Sequence, residues 1–199
     1  MADWRRLIEG EALRAHEAWL STNGQEGERL VVKGENLREA EVYGRNYRLA
    51  GWVDCDLTRA NLAMAFMTGI EAIRCTFDDA ELELAALDLS RLRECTFKNA
   101  HIVAAHFDQA RIVGGHFHGA SISRTTWKDA EAIDVDFRTT YFGQAVLTGA
   151  RFTGCDLREA EFNGTELAGA TFERCDLTGA TWTDTDPSGA TFTGCQGVR

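Results

Sequence analysis

Cysteine is the residue type whose number and spacing first suggest chemistry in this chain. Six cysteines occur in two runs at intervals of twenty residues: Cys55, Cys75, Cys95, Cys155, Cys175 and Cys195. An even number of cysteines can form disulfides, but residues stacked at the spacing of neighbouring strands point their Cβ atoms in the same direction. No pair has the C-x₂₋₄-C spacing of a zinc site. We therefore interpret the six thiols as reduced, small apolar core residues.

Histidine is the second candidate, because four of the five histidines lie close together: His101, His106, His116 and His118. His116 and His118 flank Phe117, and Asp136 follows twenty residues after His116. A metal site needs a converging third ligand and hydrogen-bond partners that orient the ligands, and this spacing supplies neither. We predict no metal and no cofactor, and leave open whether the cluster from His101 to His118 binds metal.

The composition excludes several function classes. The chain has 31 acidic and 21 basic residues, a formal charge of −10, which argues against direct binding of nucleic acid. The N-terminus lacks the apolar region of a signal peptide, and no 18 apolar residues run together, so we predict a cytoplasmic protein without membrane contact. No nucleophile–base pair or phosphate loop is recognisable, so we predict that the chain is not an enzyme.

A five-residue period organises most of the chain. Of the 32 positions taken every five residues from Leu37 to Phe192, 29 carry a large apolar side chain, the exceptions being Ala72, Ala132 and Pro187. The residue two positions earlier is small, usually Ala, Cys, Ser or Thr. Neither a helix nor a flat strand keeps a period of five on one side. The pattern predicts a chain that turns a corner every five residues.

The cysteine interval sets the size of each coil. Because the small position returns to Cys after twenty residues, four corners close one coil, and coils stack at about 4.8 Å. Eleven of the 19 glycines lie two residues after the large position, where a type II turn needs positive φ. We predict an all-β solenoid of about eight coils.

Short stretches of the chain resemble the pentapeptide-repeat family, whose motif is Ala-(Asp/Asn)-Leu-x-x. Ala60-Asn61-Leu62, Cys155-Asp156-Leu157 and Cys175-Asp176-Leu177 match the motif or nearly match it. The resemblance covers roughly residues 30–196. It implies a right-handed quadrilateral β-helix in which the large and small positions are buried and the other three positions face outward.

The two ends of the repeats differ from the middle. Trp4, Leu7, Ile8, Ala12, Ala15 and Trp19 fall near helical spacing over residues 3–20, and Asp3 can cap the first turn. We predict an N-terminal capping helix and turn at 1–29 and a β-helix at 30–199, since a solenoid end must be covered. At the other end little follows Phe192, which leaves homodimerisation through the C-terminal coil open.

Two outward features are candidate sites for a protein partner. The first is an acidic face, formed by Asp56, Asp136, Asp156, Asp176 and Glu159, with Arg138 and Arg158 beside it. The second is an apolar patch, which we define as Met64, Phe66, Leu84 and Leu89. A solvated acidic face and mutually shielding corner residues are the alternative readings.

The family resemblance implies a function for the acidic face. Its best-understood members protect DNA gyrase from quinolones or other topoisomerase poisons by looking like a DNA duplex, a rod of similar width with negative charge. We therefore predict a non-enzymatic, DNA-mimicking modulator or protector of DNA gyrase that gives resistance to topoisomerase poisons. The alternative is a generic protein-interaction scaffold that binds its partner through the apolar patch.

Overall fold

Within the described part of the chain, one short helix precedes nine three-residue strands. The computed structural model describes residues 10–198. Helix α1 spans Glu11–Ser21. The strands are β1 Val31–Lys33, β2 Gly51–Val53, β3 Glu71–Ile73, β4 Arg91–Arg93, β5 Arg111–Val113, β6 Glu131–Ile133, β7 Arg151–Thr153, β8 Thr171–Glu173 and β9 Thr191–Thr193. A 3₁₀ turn at Pro187–Gly189 precedes β9. Within residues 10–198, no helix combines the length and apolar character needed to cross a membrane.

The strands form one parallel sheet in which each pairs with the next at a register of twenty residues. Val32 faces Trp52, and the same interval continues to Phe172 and Phe192. Three further ladders of single parallel bridges repeat this interval, beginning with Asn36–Asp56, Glu41–Asn61 and Asn46–Phe66. Four ladders make a four-sided solenoid of about eight coils, which confirms the predicted fold.

We call each of the four sides of the solenoid a face and each twenty-residue turn of the chain a coil. Face 1 consists of β1–β9, and faces 2, 3 and 4 contain the bridges that begin at Asn36, Glu41 and Asn46. Coil 1 covers residues 31–50, and each further coil begins twenty residues later. On every face, the large apolar residue points inward and its two chain neighbours point outward, as strand alternation requires.

The corners are β-turns with a left-handed residue at the third position. On face 2 of coil 1, Ala40 N–H donates to the Leu37 carbonyl at 3.1 Å, and faces 3 and 4 repeat this bond. Glu39, between them, has φ 58°. Positive φ recurs at every fifth residue whether or not that residue is Gly, Gly189 in the 3₁₀ turn being the exception. The backbone ladders therefore impose this conformation on side chains that do not favour it.

The core is a set of stacked aromatic and aliphatic columns. On face 2, the Phe77 and Phe97 rings stack at 4.6 Å, and Phe117 follows at another 4.6 Å. On face 4, Phe107 stacks on Trp127 at 4.4 Å. Such parallel contacts add to the free energy of burying the rings. The inward side chains fill the solenoid.

The two Ala residues at large positions are compensated by larger neighbours. Beside Ala72, Ile70 takes a small position and is buried, and the Trp52 ring reaches Phe77 in the next coil at 6.1 Å. Around Ala132, the rings of Trp127 and Phe137 meet edge-on at 6.1 Å. Large side chains of the same face and of adjoining faces therefore surround the two Ala residues.

Cysteine and threonine at the small positions also make hydrogen bonds. Cys155 Sγ donates to the Ala132 carbonyl at 3.4 Å, and Thr140 Oγ1 donates to the Phe117 carbonyl at 2.8 Å. In both cases the acceptor lies 23 residues earlier, in the preceding coil. The interpretation of cysteine as a plain small filler was incomplete, since the thiol also joins consecutive coils.

Helix α1 covers the N-terminal end and is held there by a buried histidine. The Nδ1 atom of His16 accepts the Leu30 N–H at 3.0 Å, and its Nε2 lies 2.9 Å from the Arg48 carbonyl. A donor and an acceptor at the two ring nitrogens select the neutral imidazole with its proton on Nε2. The described helix begins at Glu11, and the predicted residues Asp3, Trp4, Leu7 and Ile8 lie outside the described part of the chain.

The C-terminal end of the solenoid is less covered. Trp182 and Phe192 are only partly buried, although their rings continue the aromatic columns. Cys195 is also half-exposed, whereas the other five cysteines are buried and all six are free. Burial of all six thiols was therefore wrong for Cys195, which no coil within residues 10–198 covers.

Thiol labelling will separate these environments. We expect one thiol, Cys195, to react with a disulfide reagent in the folded protein, and the other five to react only after unfolding. Burial raises the pKa of the Cys195 thiol, so its reaction should accelerate as pH rises. A Cys195→Ser variant is the control and should lose the fast phase. Fast labelling of two or more thiols would contradict the buried column.

Acidification should loosen the α1 attachment. Burial is the main cause that lowers the pKa of His16, and the charge of Arg29 adds to it, while the Arg48 hydrogen bond opposes it. The unfolded chain therefore binds the proton first, and the stabilisation present above about pH 6.5 is lost as pH falls. NMR titration of the His16 ring should give a midpoint below that of the urea-unfolded chain. A midpoint at or above the unfolded value would contradict this.

Candidate partner-binding surfaces

The structure distributes the four clustered histidines over three faces. All four are exposed: His101 lies on face 3, His106 on face 4, and His116 and His118 on face 2. His116 Nδ1 lies 3.4 Å from an Asp136 oxygen, and the other ring contacts are with threonine. Among residues 10–198, no three His, Cys, Asp or Glu side chains are grouped so that they could hold a metal ion.

The aspartates of the predicted acidic face have a structural role in the turn. Each sits just before the large residue, and its Oδ1 accepts the N–H of the residue two positions later: Asp56 from Thr58, Asp136 from Arg138, Asp156 from Arg158 and Asp176 from Thr178, at 3.0–3.3 Å. Asn36, Asn46 and Asn61 do the same. This Asx turn explains why the repeat prefers Asp or Asn at that position.

Arginines neutralise most of this face. Arg138 donates to both oxygens of Asp136 at 2.9 and 2.8 Å, and Arg158 donates to both oxygens of Asp156 at 2.8 and 2.6 Å. Each guanidinium also lies within 4.0 Å of the aspartate one coil further on. Partial burial of Asp136 opposes its ionisation, but the bonds from Arg138 lower its pKa to about 2.

Asp56 and Glu159, the other two members of the acidic face that the Arg138 and Arg158 pairs do not include, have different surroundings. Asp56 pairs with Arg38 at 3.1 Å. Glu159 is exposed beside an open depression that His118, Arg138 and Arg158 also line. Face 2 is therefore a ladder of alternating acids and bases, with Glu159 at its edge.

Several exposed acids on faces 3 and 4 differ from those on face 2 because they make no ion pair with a described residue. In the described part of the chain, the ion pairs join side chains of faces 1 and 2 and Arg29. On faces 3 and 4 of coils 5–8, Asp129, Glu161, Glu166 and Asp184 are exposed and make none of these pairs. The sequence signal was present, because these two faces contain few Arg and Lys residues. A total charge for the whole chain does not show this difference between faces.

The apolar patch is gathered on one side of the molecule. Met64, Phe66, Leu84 and Leu89 are 43%, 51%, 48% and 54% exposed. Phe66 lies on face 4 of coil 2, and the other three lie at the two corners that border this face. Tyr43 and Leu49, which the sequence analysis did not include, extend the same surface into coil 1.

Comparison with known proteins agrees with this architecture. The family model for pentapeptide repeats matches residues 136–179 and 172–196. No curated protein matches the chain. Among solved structures, a trypsin-treated QnrB1, described as a plasmid-mediated fluoroquinolone resistance protein, is 23% identical over 85% of this chain and 91% of its own, with a TM-score of 0.35.

Two further solved structures are similar at the same distant level. HetL, a pentapeptide repeat protein involved in heterocyst differentiation regulation from the cyanobacterium Nostoc sp. strain PCC 7120, is 21% identical over 84% of this chain and 85% of its own, with a TM-score of 0.29. A pentapeptide repeat protein from the Arabidopsis thaliana thylakoid lumen is 19% identical over 64% of this chain and 68% of its own, with a TM-score of 0.32.

The matched segment and the rest of the solenoid are built alike. Residues 136–196 have the same bridges, corners and twenty-residue register as the coils that begin at β1. The five-residue pattern runs through both without an insertion. The chain is therefore a solenoid of pentapeptide repeats, of which the family model itself matches residues 136–196.

Proposed function

We propose that this chain is a non-enzymatic interaction protein that binds DNA gyrase at its DNA-binding surface and so modulates or protects the enzyme in the presence of topoisomerase poisons. One observation carries the proposal: an uninterrupted rod places unpaired acids on two adjoining faces, 3 and 4. Eight coils extend about 38 Å, a length on which a basic DNA-binding surface can make several contacts.

The distribution of charge matters more than its total. Residues 36–199 contain 24 acidic and 16 basic residues, a net charge of −8. A DNA duplex about 38 Å long carries about 22 negative charges, so the rod has roughly a third of that charge. Mimicry therefore depends on concentrating negative charge on one side. Faces 3 and 4 of coils 6–8 have this property, since they carry Glu161, Glu166, Asp184 and Asp186 and no Arg or Lys, whereas in coil 5 Arg124 and Lys128 accompany Asp129.

The acidic face on face 2 remains a predicted contact with a weaker electrostatic basis. Asp136 and Asp156 are held by Arg138 and Arg158, and a basic partner must compete with those arginines. Exposed ion pairs of this kind are each worth about 0.2–1 kcal/mol. We expect face 2 to contribute less than the unpaired acids of faces 3 and 4.

Gyrase supercoiling assays with and without a quinolone, across protein concentrations, test the proposal. We expect a variant with Asp129→Asn, Glu161→Gln, Glu166→Gln and Asp184→Asn to need about tenfold more protein for the same effect, since the loss of four exposed charges at about 0.35 kcal/mol each amounts to about 1.4 kcal/mol. The effect of the wild-type protein should also weaken as salt rises, because the Debye length shortens from about 8 Å at physiological ionic strength.

The matched control is on face 2. Asp136→Asn, Asp156→Asn and Asp176→Asn keep the Oδ1 acceptor of the Asx turn while removing the charge, so this variant should fold and lose less activity. Circular dichroism and thermal unfolding establish folding of both variants. No effect of the wild-type protein on gyrase would overturn the proposal. An equal effect of the wild type and the four-site variant would overturn the assignment to faces 3 and 4.

A further inference from the structure

The outward charges of face 4 in coils 1–4 are arranged in two halves. Coil 1 contributes Arg45 and Arg48, coils 3 and 4 contribute Asp88 and Asp108, and all four side chains are at least partly exposed. Among the described residues, Arg48, Asp88 and Asp108 make no ion pair within 4.0 Å. The remaining titratable side chain that faces outward here is His106. This part of the face is therefore neutral overall, basic at one end and acidic at the other.

Charged residues next to these two halves do not change the arrangement. Beyond coil 1, Arg29 follows Glu28 in the sequence and pairs with Glu71 at 2.8 Å. Beside coil 3, Glu83 lies on face 3 next to the corner residue Leu84, so it adds to the acidic end. The separation of bases in coil 1 from acids in coils 3 and 4 therefore holds when the neighbouring charges are included.

Arg48 and Asp88 occupy equivalent places on this face. Each follows the large residue of face 4 in its own coil, and coil 2 with Phe66 lies between them. A two-fold axis along the strand direction of face 4, placed at coil 2, exchanges coils 1 and 3. Two copies stacked around this axis would place Arg48 of each copy opposite Asp88 of the other, which gives two equivalent ion pairs.

We propose that face 4 of coils 1–4 is the interface of a symmetric dimer, in which two copies of this chain stack face to face with their rods antiparallel. Four coils extend about 19 Å, so the interface is smaller than that of a permanent dimer, and the dimer dissociates at low concentration. The acids of faces 3 and 4 in coils 5–8 lie outside the overlap. The dimer therefore does not depend on binding to gyrase.

The apolar patch follows the same symmetry. Phe66 is 51% exposed and lies on the axis, so the two copies of this ring pack against each other. At the corner between faces 4 and 1, Leu49 of one copy meets Leu89 of the other. At the opposite corner Leu84 meets Gly44, where an added Cβ would have no atom within 4 Å, so the surface has room for the leucine side chain. The dimer therefore covers apolar side chains that are exposed in the single chain.

The charge arrangement favours an antiparallel second copy over other occupants. With parallel rods, the two-fold axis runs along the rod and Arg48 faces Asn46, so the charges stay unpaired. A wholly basic or wholly acidic partner segment is attracted by one half of the face and repelled by the other. An antiparallel copy satisfies both halves at once.

Sedimentation equilibrium of charge-reversed variants tests the proposal. For the full wild-type chain at about 0.01–1 mM, we expect a monomer–dimer equilibrium. Arg48→Asp places acids opposite acids, and Asp88→Arg places bases opposite bases, so each variant alone should dimerise about tenfold more weakly. An equimolar mixture of the two variants should dimerise like the wild type, because every contact then joins an acid to a base.

Controls separate loss of dimerisation from loss of folding. Thermal unfolding establishes that each variant folds, and the chain with both substitutions should dimerise like the wild type. Lys128→Asp, at the equivalent place in coil 5 but outside the overlap, is the matched control and should leave dimerisation unchanged.

Three results would overturn the proposal. The first is a wild-type chain that stays monomeric at about 1 mM. The second is a dimer that neither variant weakens, as contact through the C-terminal coil would give. The third is a mixture of the two variants that dimerises no better than either variant alone.

Discussion

Backbone pairing between coils at an unchanging interval of twenty residues is the constraint on which this structure depends. Asp56 N–H donates to the Glu35 carbonyl and Leu37 N–H to the Asp56 carbonyl, and the same exchange is repeated along all four faces. One inserted residue would shift every later pair and turn inward side chains outward. The length of each side, the alternation of large and small core residues and the left-handed corners all follow from this register.

The register made the fold predictable from sequence. The features that could not be predicted lie at the two ends, where the register does not determine the structure. The large position and the cysteine column repeat without interruption, so the number of sides and coils could be counted. The described helix α1 follows Gly10, which occupies the N-cap without a side-chain hydrogen bond, and the predicted segment before it lies outside the described residues. The partial exposure of Cys195 was also missed, because it depends on what lies beyond the last coil rather than on the repeat.

The acidic face shows why a column of charge is a weak functional signal. The sequence placed Asp136, Asp156 and Asp176 in one column, and that placement holds. Yet each carboxylate accepts a backbone N–H two residues later, and the triplets Asp136-Phe137-Arg138 and Asp156-Leu157-Arg158 bring a guanidinium onto the same carboxylate. Both partners were visible in the sequence, but the turn geometry that joins them was not.

The four faces consequently differ in how much of their bonding capacity remains for a partner. On face 1, Arg74 pairs with Asp54 in the neighbouring coil, and Arg111 pairs with Glu131 in the same way. A ligand that binds face 1, or face 2 with its Asp–Arg pairs, must replace ion pairs that already exist. At the apolar patch the opposite holds, because the exposed side chains of Leu84 and Leu89 bury little of their apolar surface in the fold. The uniform core therefore leaves specificity to the outward positions, and the least satisfied of these lie on faces 3 and 4.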